Sequence, residues 1–321
     1  MSGDNLQGRL SFPTLMSFEP IQLCNAACFC CPYSWLKDDV DYKGKRMSRE
    51  NISDLINQFG KPLLDNKVPY PSVLFPWRYS DPLVCPDLNF IFKESSQYPF
   101  KIDITTNAVS FHKKNIEILE KNIDKISDIS ISIIGSDQES VKKYMAVSLK
   151  KTLSRLEYLS LNNSPLIKKM MVRPKQVTNS KEEKVKIDIL VKSIKKMGFK
   201  CSSKKDWQAN RVETNKAWSD KTNKQKGFVV NCGLTAKKGL PHRILRRVEV
   251  AYDGDVLLCC DDATKQKVFG NVFKEGLINI WNGALLKEHQ ILFSSENILE
   301  KKSLICNNCS RAKLSWDTVT K

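Results

Sequence analysis

The 321-residue sequence has no apolar run long enough to span a bilayer. Its strongly apolar stretches, such as Ile129 to Gly135, fall far short of the roughly 20 residues a membrane helix needs. Met1 to Phe18 lacks the basic start and apolar core of a secretory signal. Low-complexity blocks are also missing. The three histidines, His112, His242 and His289, are far apart and share no spacing with cysteine, which argues against a histidine-based metal motif and for core or surface roles. These absences exclude a membrane-spanning helix. They predict a soluble, cytoplasmic protein, large enough for one large domain plus a small one or for a single barrel.

A disulfide framework is excluded as well. In a reducing compartment eleven cysteines do not pair, and an odd number could not pair completely. Seven of them fall in tight or cluster-like spacings at the two ends of the chain, which points to metal or iron–sulfur ligation. Cys85 and Cys201 have no partners and read as small buried apolar residues.

The formal net charge is +17. Such a surplus would attract nucleic acid, phosphorylated substrates or acidic proteins. The lysines, however, are dispersed in pairs (Lys142-Lys143, Lys168-Lys169, Lys195-Lys196, Lys204-Lys205) with acidic residues between them. That pattern fits solvated helix faces better than a binding stripe, so nucleic acid is a partner the sequence allows without favouring.

From Phe18 to Cys201 short apolar runs alternate with amphipathic stretches. The expected strands are Ile21–Leu23, Val73–Phe75, Lys101–Thr105, Ile129–Ile134, Leu166–Val172 and Phe199–Ser202. Helices are expected from Ser48, around Asp87–Phe92 and Lys113–Lys121, from Gln138 to Leu159, and over Lys181–Lys196. Six strand–helix units of this kind form parallel β/α repeats with right-handed crossovers. They are too few to close an eight-stranded barrel, which predicts an open, partial (β/α)6 barrel over residues 1–202 with its chemistry at the C-terminal strand ends. Residues 203–231 turn polar and Lys-rich and read as a linker. Residues 232–321 read as a small α+β domain. Within it Asp253-Gly254 signals a hairpin between two alternating strands, and a short helix is expected over Leu277–Glu288.

Cys24-Asn-Ala-Ala-Cys28-Phe-Cys30-Cys31-Pro32 places Cys24, Cys28 and Cys31 in C-x3-C-x2-C spacing. Three thiolates on a tight loop can bind three irons of a cubane and leave the fourth iron open. The rival reading is zinc, but structural zinc normally takes four protein ligands, and no second pair lies nearby in sequence. The motif resembles that of the radical S-adenosylmethionine (SAM) superfamily, with Cys30 in a place that is usually aromatic.

That resemblance implies that SAM chelates the open iron of a [4Fe–4S] cluster and is reductively cleaved to a 5′-deoxyadenosyl radical. It implies SAM contacts at Cys30 and at Asp81 of Tyr79-Ser80-Asp81-Pro82, the counterpart of a Gly-Gly-Glu-Pro-like segment. It also implies contacts at Asn107 of Thr105-Thr106-Asn107, at Ser132 for the ribose and at Arg173 for the SAM carboxylate.

The C-terminal half resembles the SPASM/Twitch extension of the same superfamily. The segment Gly254-x4-Cys259, with Cys232 upstream and Cys306-x2-Cys309 downstream, would fully ligate a second, auxiliary [4Fe–4S] cluster through Cys232, Cys259, Cys306 and Cys309. The same thiolates could build a four-cysteine zinc knuckle. Cys260 competes with Cys259 for the ligand place, but side chains of neighbouring strand residues point to opposite faces, which favours Cys259 alone. Asp261, Asp262 and Tyr252 are candidate acids or bases that read more simply as turn and surface residues.

The resemblance further implies an electron donor such as a flavodoxin or ferredoxin. The substrate is expected to be a peptide or protein, and a sugar or cyclitol alcohol is the next reading. With about 18 residues ahead of the first strand, no leader-binding domain is expected at the front. A non-catalytic iron–sulfur or zinc protein that binds nucleic acid is the reading from a different class.

Overall fold

The computed structural model describes residues 9–38, 42, 44–65, 71–178, 180–202, 229–232, 242–295, 297, 300–301, 304, 306 and 312–314. Six strands run parallel in sequential order: β1 (Leu15–Phe18), β2 (Val73–Phe75), β3 (Lys101–Thr106), β4 (Ile126–Ile134), β5 (Met170–Lys175) and β6 (Lys200–Cys201). The helices between them are α1 (Tyr33–Leu36), α2 (Arg49–Asp65), α3 (Leu88–Ser95), α4 (Lys113–Lys121), α5 (Gln138–Met145), α6 (Leu149–Leu161) and α7 (Lys181–Lys196). This is the partial barrel that the six repeats predict.

Strand alternation sets the two faces of the sheet. Ile102 and Ile104 of β3 and Ile129, Ile131 and Ile133 of β4 are buried against helices. Asp103, Thr105, Asp128, Ser130 and Ser132 alternate with them, half-buried on the opposite, inner face. Each fully buried isoleucine contributes about 1.5–3 kcal/mol, so the helix-facing side dominates stability and leaves the inner face free to be polar. Helix α2 shows the same logic. Ser48 Oγ accepts the Asn51 amide (3.1 Å), and Ile52, Leu55, Ile56, Phe59 and Leu63 recur at helical spacing on the buried side. Lys142, Lys143, Lys168, Lys195 and Lys196 are exposed, as solvated helix faces require.

Several boundaries differ from expectation. The first strand lies at Leu15–Phe18, all four residues buried, whereas Ile21 forms only an isolated antiparallel bridge to Arg46. Pro20 lacks the N–H a ladder would need, and the chain turns there. Leu166 falls in a 3-10 turn (Pro165–Lys169), and β5 begins four residues later. The helix expected over Gln138–Leu159 is broken at Ala146, whose φ of 55° is left-handed. The one expected over Leu277–Glu288 splits at Gly283 into two.

The C-terminal region extends the same sheet. β8 (Arg247–Val250) pairs in parallel with β1, and β9 (Asp255–Leu257) and β10 (Val268–Asn271) follow antiparallel, giving the order β10-β9-β8-β1-β2-β3-β4-β5-β6. Helices α8 (Val272–Glu275), α9 (Leu277–Asn282) and α10 (Ala284–Ser294) pack behind, with Trp281 fully buried. A separate two-stranded ribbon joins β7 (Val229–Cys232) to β11 (Ala312–Leu314). Among the described residues no helix is long and apolar enough to cross a membrane.

The β8–β9 hairpin turns at Asp253-Gly254 as expected. Gly254 has φ +91°, and a Cβ there would lie 2.4 Å from the Phe273 ring. Gly254→Ala combines backbone strain with a clash and is expected to destabilise the protein by about 1–3 kcal/mol, read as a lowered denaturant midpoint at unchanged slope.

Candidate active site

The Cys24–Cys31 loop leaves the sheet after β1 and is tied down by its backbone. Ala27 N–H donates to Met145 O (2.9 Å) and Phe29 N–H to Tyr144 O (3.0 Å), while the Phe29 ring packs on Tyr144 with centroids 5.0 Å apart. Cys31 N–H closes a turn onto Cys28 O (2.8 Å), and the Ser34 hydroxyl donates to the same carbonyl. Cys24, Cys28, Cys30 and Cys31 are all half-buried.

No three of these sulfurs come within 4.8 Å of one another. Three thiolates on one loop suit a cubane, whose irons occupy separate corners. Burial is the main force pushing the Cys24 and Cys31 thiols up to about 12 and the Cys28 thiol further still, and the neighbouring cysteines add to the rise at Cys28. Such thiols keep their protons unless a cation draws them off, which is what iron ligation supplies. The Ala26 amide donates to Cys24 Sγ (3.4 Å), a contact of the kind that tunes ligand sulfur.

Asp81 is buried, and its carboxylate is fully engaged. It accepts from Leu83 N–H (2.9 Å), from the Thr106 hydroxyl (2.8 and 3.0 Å) and from Asn107 N–H (3.0 Å). Burial raises its pKa, and these donors oppose the rise. Its geometry is that of a fastener between the loop after β2 and the end of β3. Asn107 Nδ2 donates to Asn25 Oδ1 (2.6 Å), and Asn25 Nδ2 to Ser110 Oγ (2.8 Å), so the strand end is joined to the cysteine loop itself. Ala108, where the superfamily pattern usually has Gly, adopts φ +66°.

On the inner face Arg173 Nε donates to Ser130 Oγ (2.6 Å), and its guanidinium lies 3.7 Å from Asp128. Ser132 sits beside Arg173 in the β4–β5 register. Nearby, Ser17 and Arg247 both donate to buried Glu249, and Arg247 lies 4.5 Å over the Phe75 ring. Cys30 lies half-buried next to Phe29 in the cysteine loop.

In the second set, β9 ends at Leu257, so strand alternation does not separate Cys259 from Cys260. Both sulfurs and the Asp261 carboxylate lie within 4.8 Å of one another. The hydrogen bond with Cys260, followed by burial, raises the Cys259 thiol. Asp261 N–H donates to Cys259 Sγ (3.5 Å), the same i+2 contact that Cys24 receives. Cys306 is half-buried. The β7–β11 register sets Cys232 opposite Ala312, three residues beyond Cys309 in sequence, while Cys309 itself lies outside the described residues.

The remaining candidates are structural. Asp262 is fully buried and accepts from Gln266 N–H (2.8 Å) and Lys267 N–H (3.1 Å). Tyr252 lies under Lys265. Cys85 is buried and Cys201 half-buried. His289 packs edge-on to Phe269, His242 stacks near Phe293, and burial lowers both to about 4; His112 contacts Arg155 (3.1 Å).

Residues 242–310 match the family model of the SPASM iron–sulfur cluster-binding domain. The fold is similar to BtrN solved with AdoMet and 2-DOIA (TM-score 0.59, 16% identity, 93% of each chain covered). It is also similar to Streptococcus suis SuiB bound to precursor peptide SuiA (TM-score 0.58, 14% identity, 89% of this chain and 68% of that one). A third match is anSMEcpe with AdoMet and Cp18Cys peptide (TM-score 0.56, 13% identity, 92% and 88%). The chain thus shares the overall fold of these structures, and residues 242–310 match a SPASM domain. The SPASM match contains Cys259, Cys260, Cys306 and Cys309, and Cys232 lies ten residues upstream of it. No curated protein matches the sequence.

Sequence reasoning missed Asn25, Thr106, Arg78 and Tyr79. The polar pair Asn25 and Asn107, each beside a motif already singled out, was the available signal for the first two.

Asp81→Asn places an amide N–H against donors. It is expected to weaken SAM binding on the order of tenfold while iron content holds, measured by equilibrium binding and iron assay. A second prediction concerns Asp103. Burial and the Asp128 carboxylate raise it from 3.8 to about 7, against the pull of Arg247 and Arg173. The native state therefore binds more protons than the unfolded chain between those values, and stability falls as pH rises through the window. Asp103→Asn is expected to flatten that fall between pH 5 and 7; parallel denaturation curves for the two proteins would refute it.

Proposed function

We propose that the protein reductively cleaves SAM at a [4Fe–4S] cluster held by Cys24, Cys28 and Cys31 and uses the resulting radical on a peptide or protein. An auxiliary [4Fe–4S] cluster on Cys232, Cys259, Cys306 and Cys309 would take the second electron. The observation that carries this reading is the tethered loop of three half-buried cysteines at the end of a strand in the same sheet as strands of the SPASM match. When bound, the first cluster supplies an open iron for SAM and the electron that breaks its S–C5′ bond.

The chain's own residues then define the chemistry. Asn25, Asn107 and Asp81 hold the cysteine loop, the end of β3 and the loop after β2 in one hydrogen-bonded frame beside the SAM position. Because Asp81 is saturated by donors, the SAM ammonium is left to backbone carbonyls of that loop. Ser132 and Arg173 stand on the inner face, where the ribose and carboxylate of SAM would extend, and Cys30 adjoins the adenine position. Arg173 would have to exchange its contacts with Ser130 and Asp128 for the SAM carboxylate. An acidic electron donor such as a flavodoxin or ferredoxin suits the basic chain, and Arg49, Lys93, Lys114 and Lys121 line one surface groove between α3 and α4.

Support for a peptide substrate comes from the likeness to SuiB with SuiA and to anSMEcpe with Cp18Cys peptide. Oxidation of a sugar or cyclitol alcohol is the second reading. It is favoured by the likeness to BtrN with 2-DOIA, which spans 93% of both chains.

Anaerobic reconstitution is expected to give about eight irons per chain and 5′-deoxyadenosine release under reductant. Replacing Cys24, Cys28 and Cys31 by Ala should abolish release and leave about four irons. Tightly held zinc without SAM cleavage would instead support the nucleic-acid-binding class.

A further inference from the structure

We infer that Arg78 and Tyr79 are positioning residues that fasten the auxiliary cysteine segment to the SAM-binding loop and set the environment of the auxiliary cluster. The inference rests on the two-cluster reading above.

The observation is a single run, Arg78 to Asp81, that touches both cysteine-bearing segments. At one end the Tyr79 hydroxyl donates to the Cys260 carbonyl, and Arg78 NH2 donates to the Asp262 carbonyl (2.6 Å). At the other end Asp81 N–H donates to Leu23 O (3.3 Å), the residue before Cys24, and the Asp81 carboxylate holds Thr106 and Asn107. Adjacent Cα atoms are about 3.8 Å apart, so Tyr79 and Asp81 are separated by at most about 7 Å of chain, and a shift of one cysteine segment is passed to the other within two residues.

Both side chains are committed to this contact. Arg78 is 7% and Tyr79 8% exposed, and the guanidinium lies 4.6 Å over the Tyr79 ring. Surface packing does not explain a buried guanidinium, which carries its charge in all ordinary conditions and is costly to desolvate without a task. Glu19 lies close enough to interact with it electrostatically and is itself bonded to Tyr42 Oη (2.8 Å) and Gln22 Nε2 (3.2 Å). A cation fixed on the Asp262 carbonyl, three residues from Cys259, favours the more negative, reduced state of a cluster ligated by Cys259. The Tyr79 hydrogen bond holds the backbone next to the Cys259 ligand in place, as outer contacts do at metal sites.

The test uses full-length protein carrying Cys24, Cys28 and Cys31 as Ala, so that only the auxiliary cluster is read. Arg78→Gln keeps a donor for the Asp262 carbonyl but loses the charge; Arg78→Lys keeps the charge. Redox titration followed by EPR should give a lower midpoint potential in Arg78→Gln and a nearly unchanged one in Arg78→Lys. Tyr79→Phe keeps the ring and should lose auxiliary iron to a chelator about two- to tenfold faster, what one hydrogen bond is worth. Equal potentials in Arg78→Gln and its parent, with equal iron loss in Tyr79→Phe, would overturn the inference and leave the two-cluster reading standing. No cluster at all in the parent would overturn both.

Discussion

Strand β1 is paired on both edges, parallel to β2 on one side and to β8 on the other, and the rest of the site depends on that double pairing. A barrel of six strands alone would leave β1 as an exposed edge, with unpaired N–H and C=O groups inviting other chains. Here residues more than 230 positions away in sequence cover it, and the contact is sealed by Ser17 donating to Glu249. The cysteine loop emerges from one side of this junction and the hairpin leading to Cys259 from the other. The loop bearing Cys24, Cys28 and Cys31 and the segment bearing Cys259 therefore both leave one sheet, although sequence patterns alone divide them between a barrel and a smaller domain.

Burial is what gives the first cysteine set its chemistry. A thiol in a dry loop holds its proton and is inert, so this loop is a poor nucleophile and a good site for a cation that replaces the proton. Several polar groups around it, and around the Cys259 segment, are satisfied by the protein. Asp81 has its donors, Asn107 bonds Asn25, and Arg78 reaches the Asp262 carbonyl. A preorganised frame of this kind costs little reorganisation when a ligand arrives, which is the usual condition for controlled radical chemistry at a buried site.

Much of this was legible in the sequence because it rests on local rules. Helices α4 and α7 fall at Lys113–Lys121 and Lys181–Lys196 as their periodicity demands, and the Asp253-Gly254 turn follows from a backbone that needs positive φ. The first strand was not legible. Its residues, Leu15–Phe18, include Ser17, whose partner Glu249 only folding brings near, while Ile21–Leu23 looks more strand-like but follows Pro20. The break at Ala146 carries neither Gly nor Pro to mark it. In the site, the cysteine spacings were plain. The role of Asp81 was not, since a carboxylate that fastens two loops and one that binds an ammonium look alike in sequence. The reach of Arg78 and Tyr79 to residues more than 180 positions away has no local signature at all.

The central claim is that one cysteine set leaves an iron open to SAM and the other does not. EPR of the reconstituted, reduced protein with and without SAM tests it most directly. The account predicts two cluster signals, of which only the one lost on replacing Cys24, Cys28 and Cys31 changes when SAM is added. A SAM-insensitive spectrum, or a SAM-responsive signal that survives those replacements, would contradict it.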